Sequence, residues 1–486
     1  MNGKMMGRFI AQIIAIEAAF MVPALAISLG YGEWPAVKAF ALTIGVILAL
    51  SGLLYLICRK AGRLFGAREG LVCVAISWIV MSLLGALPFV LSGQVKDYID
   101  ALFEIVSGFT TTGASVIADV EGLYKGILYW RSFSHWIGGM GVLVFLLAVL
   151  PSGQGSGFTM HLLRAESPGP DVGKLVPKMR QTATILYCIY IALTVIDFVF
   201  LLCGRMHWLD ALCTAFGTAG TGGFGIYNDS LGSVSPYIQN VTTVFMFLFG
   251  INFSCFYLIL LGKIKSVLKD EELRLYIGLA VACVIGLVLS IRPLYETLEE
   301  AIRHAAFQVS SIMTTTGYST ADYDTWPVFA KTILMLLMVV GACAGSTGGG
   351  LKCMRVLLLF KVLRRNIRRI LNPRKVLVVR SNDKVVSEQV LENTNAYLAA
   401  YVIIIVVSTL ILSLETAPQF TFESNMSAVL ATFNNIGPGI GAVGPTCNYA
   451  AYGVLSKLTM IVGMLAGRLE IFPILVLFSR STWTRK

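Results

Sequence analysis

The sequence FTTTGAS at residues 109–115 places a glycine at the end of a Thr-rich run inside otherwise apolar sequence. Three related runs follow: GTGG ends at Gly223, TTTG at Gly317 and NNIG at Gly437. From Gly113 onward, successive run-ending glycines lie 110, 94 and 120 residues apart, which indicates one folding unit repeated four times. We refer to residues 110–113, 220–223, 314–317 and 434–437 as runs 1, 2, 3 and 4.

The amino-acid composition indicates that the chain lies in a membrane. The mean hydropathy is +0.76 and 13% of the residues are charged, against about 25% in an average soluble protein. The net charge of +11 arises from Lys and Arg beside spans of about 20 apolar residues, which is typical of cytoplasmic membrane loops rather than of nucleic-acid binding. The four histidines are isolated and no catalytic or metal-ligand spacing appears, so we expect no enzyme activity.

The spans predict an all-α polytopic membrane protein. Two segments, 8–32 and 37–58, form an N-terminal hairpin in residues 1–68. Each later unit has a first span, a shorter segment that leads into the run, and a second span. The units cover residues 69–165, 166–270, 271–385 and 386–486, the third with a broken second helix. The first spans are 70–93, 183–203, 274–292 and 396–414, and the second are 130–150, 235–261, 327–360 and 452–479.

The middle segments, near residues 99–110, 208–219, 298–313 and 424–434, are too short to cross a membrane core of about 30 Å. We therefore expect them to enter and return on one side. With a cytoplasmic N-terminus, most of the 38 basic residues fall inside, which places both termini in the cytoplasm and the runs in the outer half of the membrane.

The chemistry of the runs follows from what backbone can do at that depth. Non-helical backbone inside a membrane is tolerated only when it is buried in protein or lines a watery path. Carbonyl groups there can replace the hydration shell of potassium, and the C-terminal end of a preceding helix favours a cation. One such run alone is more often a packing or kink site, but four in register favour an ion filter. We expect Glu104, Asp210, Glu300 and Glu423 to cap helices or form outer ion pairs rather than bind the ion.

At these residues the chain resembles the Trk/Ktr/HKT superfamily of bacterial potassium-uptake proteins. The matching sequences are FTTTGAS (109–115), AFGTAGTGGFG (215–225), MTTTGYST (313–320), FNNIGPG (433–439), GACAGSTGGGLK (341–352) and AGRLEIFP (466–473). The hairpin and the NNIGPG sequence resemble the TrkH branch rather than the KtrB branch. The resemblance implies four helix–pore-loop–helix repeats in a pseudo-fourfold array around one pore, in the inner membrane. It also implies a homodimer and a cytosolic, nucleotide-binding TrkA-like ring as regulator, with potassium as the substrate and no cofactor.

The resemblance also assigns the filter. Its residues would be Thr110, Thr111, Thr112, Gly113, Gly220, Thr221, Gly222, Gly223, Thr314, Thr315, Thr316, Gly317, Asn434, Asn435, Ile436 and Gly437. Run 2 departs most from the Thr-rich pattern, and we expect its backbone to be looser. Family members with Ser in the first run tend to admit sodium, so Gly113 favours potassium.

Two further features suggest a gate. The glycine loop, residues 341–350, lies within an apolar span and makes a continuous helix improbable, although a glycine-packed helix crossing is the alternative. Arg468 is a charge within a span, where it needs a polar cavity or a partner such as Glu470. The resemblance implies that both obstruct the pore. The gate residues would then be Gly341, Gly345, Ser346, Thr347, Gly348, Gly349, Gly350 and Arg468.

The basic segment at residues 361–375 predicts anchoring to anionic membrane lipid, and the resemblance adds docking of the TrkA-like ring. The predicted function is gated potassium uptake. A potassium symporter coupled to sodium or protons stays open, because it would need the same filter.

Overall fold

The computed structural model describes residues 3–59, 67–141 and 179–483. The chain is mostly helical there. The predicted boundary at residues 165/166, the inner half of the second span 130–150 and the loop that contains Arg164 and Lys174 lie outside the described residues.

The N-terminal hairpin consists of α1 (Gly3–Gly30) and α2 (Trp34–Ile57), which pack against each other. Glu33, between them, accepts hydrogen bonds from the backbone N–H groups of Lys125 (2.6 Å) and Gly126 (3.2 Å). The hairpin is thus fastened to the helix that follows run 1.

The remaining helices follow the order that the sequence predicts. Around run 1 lie α3 (Ala67–Gly85), α4 (Leu87–Leu91), α5 (Tyr98–Phe109) and α6 (Lys125–Gly139). Around run 2 lie α7 (Met179–Cys203), α8 (Trp208–Gly220), α9 (Pro236–Phe249), α10 (Phe253–Leu260) and α11 (Ile264–Leu268). Around run 3 lie α12 (Glu271–Ile291), α13 (Leu298–Met313), α14 (Val328–Val340) and α15 (Cys353–Leu371). Around run 4 lie α16 (Glu388–Leu412), α17 (Phe422–Phe433), α18 (Val454–Arg468), α19 (Phe472–Phe478) and α20 (Arg480–Trp483).

One small sheet accompanies the helices. Strands β1 (Arg380–Ser381) and β2 (Lys384–Val385) form an antiparallel hairpin between α15 and α16, with Arg380 opposite Val385. Asn382 and Asp383 form its turn with φ of 47° and 63°, the left-handed backbone that a two-residue hairpin turn requires.

Within the described residues, six helical segments are long and apolar enough to cross a membrane, and α9 with α10 would make a seventh span bent by 91°. The second spans predicted at 235–261 and 452–479 are each interrupted in the structure. The first is interrupted before Asn252, whose side chain caps α10 by accepting a hydrogen bond from Ser254 N–H at 2.9 Å. The second is interrupted at Glu470 and Ile471, which have φ of 63° and 64°. The third-unit break, between α14 and α15, occurs where the sequence predicts it.

The four short helices, α5, α8, α13 and α17, contain 12, 13, 16 and 12 residues. Side-chain oxygens cap three of their N-termini, from Asp97, Thr297 and Thr421, as the first-turn N–H groups require. Each helix leads directly into a run, so their C-terminal ends determine the geometry of the candidate site.

Candidate ion pathway

All four short helices end in the same hydrogen-bond pattern. The N–H of the third run residue donates to the carbonyl five residues earlier at 2.8, 2.9, 2.8 and 2.8 Å in runs 1 to 4. The N–H of the second donates three residues back at 3.0, 3.1, 3.1 and 3.3 Å. This is the Schellman motif, which needs a left-handed residue at the second position. That residue is Thr111, Thr221, Thr315 or Asn435, with φ between 53° and 60°.

Threonine is a poor choice for this backbone. Left-handed conformations of residues other than glycine cost about 1–3 kcal/mol each and persist only where the surroundings enforce them. Three β-branched residues and one asparagine occupy the equivalent position, and all four are fully buried. The repetition of this cost at one place is typical of a functional site rather than of a structural turn.

Side chains reinforce runs 1 and 3 in the same way. Thr110 Oγ1 donates to Val106 O at 2.6 Å and lies 2.8 Å from Thr112 Oγ1. Thr314 Oγ1 makes the same two contacts in run 3, at 2.6 and 2.7 Å. In run 4, Asn435 Nδ2 donates to Thr112 Oγ1 at 3.0 Å, so an amide connects run 4 to run 1.

The final glycine of each run lies against the third residue of the next run. A Cβ atom added to Gly113 would be 2.1 Å from Gly222 O, and one added to Gly223 would be 1.9 Å from Thr316 O. A Cβ at Gly317 would be 1.9 Å from Ile436 O. The series closes at Gly437, where a Cβ would be 2.7 Å from Thr112 O. Runs 1 to 4 therefore form a closed ring in which each contact is equivalent to the next.

These four glycines have positive φ as well, of 80°, 68°, 86° and 102°. Glycine adopts that backbone without a steric cost, whereas a side chain would be strained. The glycines also share one cavity of about 120 Å³, whose other lining residues include Ser115, Tyr227, Ser319 and Tyr449. One end of every run thus faces this cavity.

Run 2 differs from the others because of His135, which the sequence analysis leaves without a role. Cβ atoms on Gly220 and Gly222 would lie 2.3 Å from His135 O and 2.2 Å from His135 Nδ1. The imidazole lies 2.9 Å from Gly108 O through Nδ1 and accepts a hydrogen bond from Phe224 N–H at 3.3 Å. Run 2 is therefore closely packed, and the expectation of a looser backbone is wrong. The two extra glycines make room for the histidine.

A buried ion pair connects the backbone segments that follow runs 1 and 2. Glu104, on α5, lies 2.5 Å from Arg131 Nε on α6, and both side chains are at most 2% exposed. Glu104 also accepts a hydrogen bond from Val116 N–H (2.9 Å), while Arg131 donates to Gly225 O (2.8 Å). The pair links the backbone that follows run 1 to the backbone that follows run 2. The prediction of an ion pair holds for Glu104, but the pair is buried and not at an outer mouth. Its partner Arg131 is not predicted, because a single charge within an apolar segment does not indicate which residue it pairs with.

The other acidic residues of the short helices lie further from the ring. Asp210 accepts a hydrogen bond from Tyr227 Oη at 3.3 Å. Glu300 and Glu423 occupy the first turns of α13 and α17, where a negative charge is favourable.

The glycine loop lies at the other end of the runs. A Cβ on Gly348 would be 2.8 Å from Thr314 O, and one on Gly349 would be 2.4 Å from Asn434 O. The N–H of Gly349 donates to Thr315 Oγ1 at 2.6 Å. These contacts reach the first two residues of run 3 and the first residue of run 4, whereas the cavity of about 120 Å³ is lined by the last residue of each run. The loop and the cavity therefore lie on opposite sides of the ring.

Other residues of the loop reach the break between α9 and α10. Thr347 Oγ1 donates to Phe249 O at 3.2 Å, and Cys343 N–H donates to Gly250 O at 3.1 Å. Gly345 O accepts from Phe253 N–H at 3.0 Å. Gly341, Gly345 and Gly350 have φ of 74°, 72° and 75°, so this segment is an irregular loop rather than the alternative, a glycine-packed helix.

Arg468 holds this loop through backbone carbonyls. Its guanidinium donates to Thr347 O at 2.8 Å, to Gly139 O at 2.6 Å and to Gly138 O. The side chain therefore connects the glycine loop to the C-terminal end of α6. Glu470, the partner considered from the sequence, instead forms an ion pair with Arg355.

Comparison with known proteins gives consistent matches along the chain. A sequence model of the TrkH family, described as a cation transport protein, matches residues 36–484. The Trk system potassium uptake protein TrkH of Salmonella typhimurium is 35% identical, over 99% of this chain and 100% of that protein. The corresponding protein of Escherichia coli K12 is 36% identical over 97% of each. The crystal structure of the potassium transporter TrkH from Vibrio parahaemolyticus superposes with a TM-score of 0.89 at 30% identity and covers all of both chains.

Proposed function

The chain belongs to the TrkH family of potassium-uptake transporters, and from this premise we propose that it conducts potassium through the ring of runs 1 to 4. The observation that carries the proposal is the closed ring of contacts from each run-ending glycine to the next run. A single axis surrounded by four equivalent backbone segments is the geometry in which carbonyl groups can replace the hydration shell of an ion. The four units would then form a pseudo-fourfold array, as the sequence predicts.

The proposed filter consists of runs 1 to 4, with potassium as substrate. Each short helix ends at the ring, so the four negative ends of the helix dipoles converge there and favour a cation over an anion. The strained second residues and the glycines hold the backbone out of helical geometry. Carbonyl groups that would otherwise make helical hydrogen bonds thereby become available to the ion.

The proposed gate consists of the glycine loop and Arg468. The loop lies against the first residues of runs 3 and 4, in the path of an ion that has passed the ring. Arg468 adds a positive charge beside the loop and fastens it to α6. Opening therefore requires that the guanidinium release the loop, or that both move together.

Regulation is proposed to come from outside this chain. The relatives are named as proteins of the Trk system, and a cytosolic TrkA-like ring is the proposed partner of a homodimer in the inner membrane. Helix α15 begins three residues after the glycine loop and carries five of the seven basic residues of segment 361–375, all except Arg374 and Lys375. With cytoplasmic termini, a partner bound there would pull directly on the loop.

Coupled symport is the second candidate, and one observation favours a proton as the coupling ion. Asp197, on α7, is fully buried, and neither carboxylate oxygen has a hydrogen-bond partner within the described residues. An intramembrane carboxyl group without a partner is a candidate for proton binding.

Reconstitution tests both candidates. Purified protein in liposomes should take up rubidium, and potassium should compete while sodium competes weakly. A gated channel should show a reversal potential that follows the potassium gradient alone. A dependence on the sodium or proton gradient would establish coupling, and loss of the proton dependence in Asp197→Asn would locate it. Failure of the liposomes to take up rubidium under any gradient would contradict both.

A further inference from the structure

Three consecutive acidic residues begin helix α12. Asp270 is the N-cap and accepts a hydrogen bond from Leu273 N–H at 2.8 Å. The carboxylate of Glu272 is directed instead toward the glycine loop, and the residue is only 2% exposed. Its Oε1 atom accepts hydrogen bonds from Ala344 N–H at 2.6 Å and from Met354 N–H at 3.0 Å. One oxygen atom of a neighbouring helix therefore connects the first half of the loop, at Ala344, with the start of α15, at Met354.

The contact to Met354 serves as a helix cap. The first N–H groups of a helix have no acceptor within the helix, and a negative charge is favourable beside them. Helix α15 starts at Cys353, and Lys352, its N-cap residue, provides no side-chain cap. The Lys352 ammonium instead donates to Gly348 O. Glu272 thus supplies from α12 the cap that α15 lacks.

The contact to Ala344 holds the first half of the glycine loop. The base of the loop is closed by Cys353 N–H, which donates to Ala342 O at 2.9 Å, and by Leu351 N–H, which donates to Val339 O at 3.3 Å. Glu272 adds a further contact at Ala344, two residues after Ala342. Loss of its carboxylate would leave the buried N–H group of Ala344 and the half-buried N–H group of Met354 without this acceptor, which is costly in the closed arrangement.

The neighbouring acidic residues hold the β1–β2 hairpin. Glu271 Oε2 lies 2.5 Å from Lys361 Nζ and accepts from Asn382 N–H at 3.1 Å. Asn382 Oδ1 accepts from Glu271 N–H at 3.0 Å, and its Nδ2 donates to Asp270 Oδ2 at 2.8 Å. The turn of the hairpin is therefore attached to the two residues immediately before Glu272.

We propose that Glu272 is the positioning residue that holds the glycine loop closed, and that the β1–β2 hairpin sets its position through Asp270 and Glu271. The proposal rests on the proposed function only in identifying the loop as a gate. Displacement of the hairpin from the cytosolic side would shift the start of α12 and withdraw the carboxylate of Glu272. The hydrogen bonds to Ala344 in the loop and to Met354 on α15 would then be lost together.

The chain contains its own reporters for this movement. Cys343 and Cys353 belong to the loop and the start of α15, and both are at most 1% exposed. Cys213, on α8, is fully buried away from the loop. Labelling with a membrane-impermeant thiol reagent, quantified for each peptide by mass spectrometry, distinguishes release of the loop from general unfolding.

In Glu272→Gln the side chain keeps its size but loses its charge, so we expect Cys343 and Cys353 to label about tenfold faster or more, as expected for weakened hydrogen bonds to a charged group. Cys213 should remain unlabelled. The matched control is Glu388→Gln, which removes an exposed carboxylate that pairs with Arg365 at 2.6 Å and should label like the parent. Asn382→Ala, at an exposed turn, should give a smaller increase and serves if Glu272→Gln does not fold.

The two readouts separate the two proposals. Parental labelling rates in folded Glu272→Gln and Asn382→Ala would overturn the positioning role, even if rubidium uptake is potassium-selective. Faster labelling with parental uptake would support the positioning role and show that the loop is not the gate. Faster labelling with faster uptake and an unchanged potassium-to-sodium ratio would support both, because a purely structural defect would also disturb the filter.

Discussion

Replacement of Gly113 by serine should reduce the preference for potassium over sodium. Gly113 has a φ of 80°, and an added Cβ would lie 2.1 Å from Gly222 O. Raising that distance to 3.0 Å, below which real Cβ contacts are essentially absent, needs a shift of about 0.9 Å. The atom that must move is a carbonyl oxygen of run 2, within the proposed filter. One substitution in run 1 thus distorts its neighbour in the ring.

The expected magnitude follows from these numbers. A side chain in left-handed backbone costs about 1–2 kcal/mol, and the carbonyl displacement adds to that. If 1–2 kcal/mol of this is lost from preferential potassium binding, the potassium-to-sodium ratio falls by about 5- to 30-fold. Reversal potentials under bi-ionic conditions measure the ratio directly, and competition between rubidium and sodium uptake in liposomes checks it.

Two variants make the result interpretable. Gly93→Ser is the matched control, because Gly93 has a φ of 75° but no atom within 4 Å of an added Cβ. It carries the same backbone strain without the contact and should keep the parental ratio. Gly113→Ala carries the contact without the hydroxyl and should behave like Gly113→Ser. A parental ratio in folded, conducting Gly113→Ser would refute the reasoning, as would an equal loss in Gly93→Ser.

Three other predictions, which use four substitutions, test the remaining parts of the site. Arg468→Ala should raise potassium flux by about tenfold or more, because it removes hydrogen bonds from a charged group to three carbonyls. Unchanged or lower flux at equal expression would contradict the proposal that Arg468 is part of the gate. Glu104→Ala should lower the stability to unfolding by about 3–5 kcal/mol, since Arg131 is then left buried without its partner; a thermal melt in detergent indistinguishable from the parent would contradict this. Gly437→Ala should reduce selectivity less than Gly223→Ala, since the added Cβ would approach a carbonyl to 2.7 Å rather than 1.9 Å; the reverse order in uptake assays would argue against the ring.

Features with a local cause could be predicted from the sequence. The short helices and the runs depend on Thr, Asn and Gly at fixed positions, and the helices lie within a few residues of the predicted bounds. The break after α14 was also predictable, because five glycines interrupt one span. Membership of the family follows from the same motifs and is confirmed by the comparisons.

Features with a distant cause could not be predicted. The breaks at Asn252 and at Glu470 lie in sequence that contains no run of glycines, and they depend on contacts with the glycine loop and with Arg355. The GTGG sequence alone predicts a loosely packed backbone for run 2. His135, which fills the space beside its two extra glycines, lies 85 residues before Gly220 in the sequence. A glycine in the sequence indicates that no side chain is needed at that position, but only the structure shows which neighbouring atoms lie there.

The carbonyl ligands of Arg468 have a further consequence. Gly138, Gly139 and Thr347 offer the guanidinium the same chemical groups, backbone carbonyls, that the proposed filter would offer a potassium ion. Its guanidinium is thus a covalently attached cation whose ligands include three neutral carbonyl oxygen atoms. Because these ligands are separate from runs 1 to 4, the proposed gate and the proposed filter use different residues. In that arrangement, changes at Arg468 would alter how often ions pass, whereas changes at the run glycines would alter which ions pass.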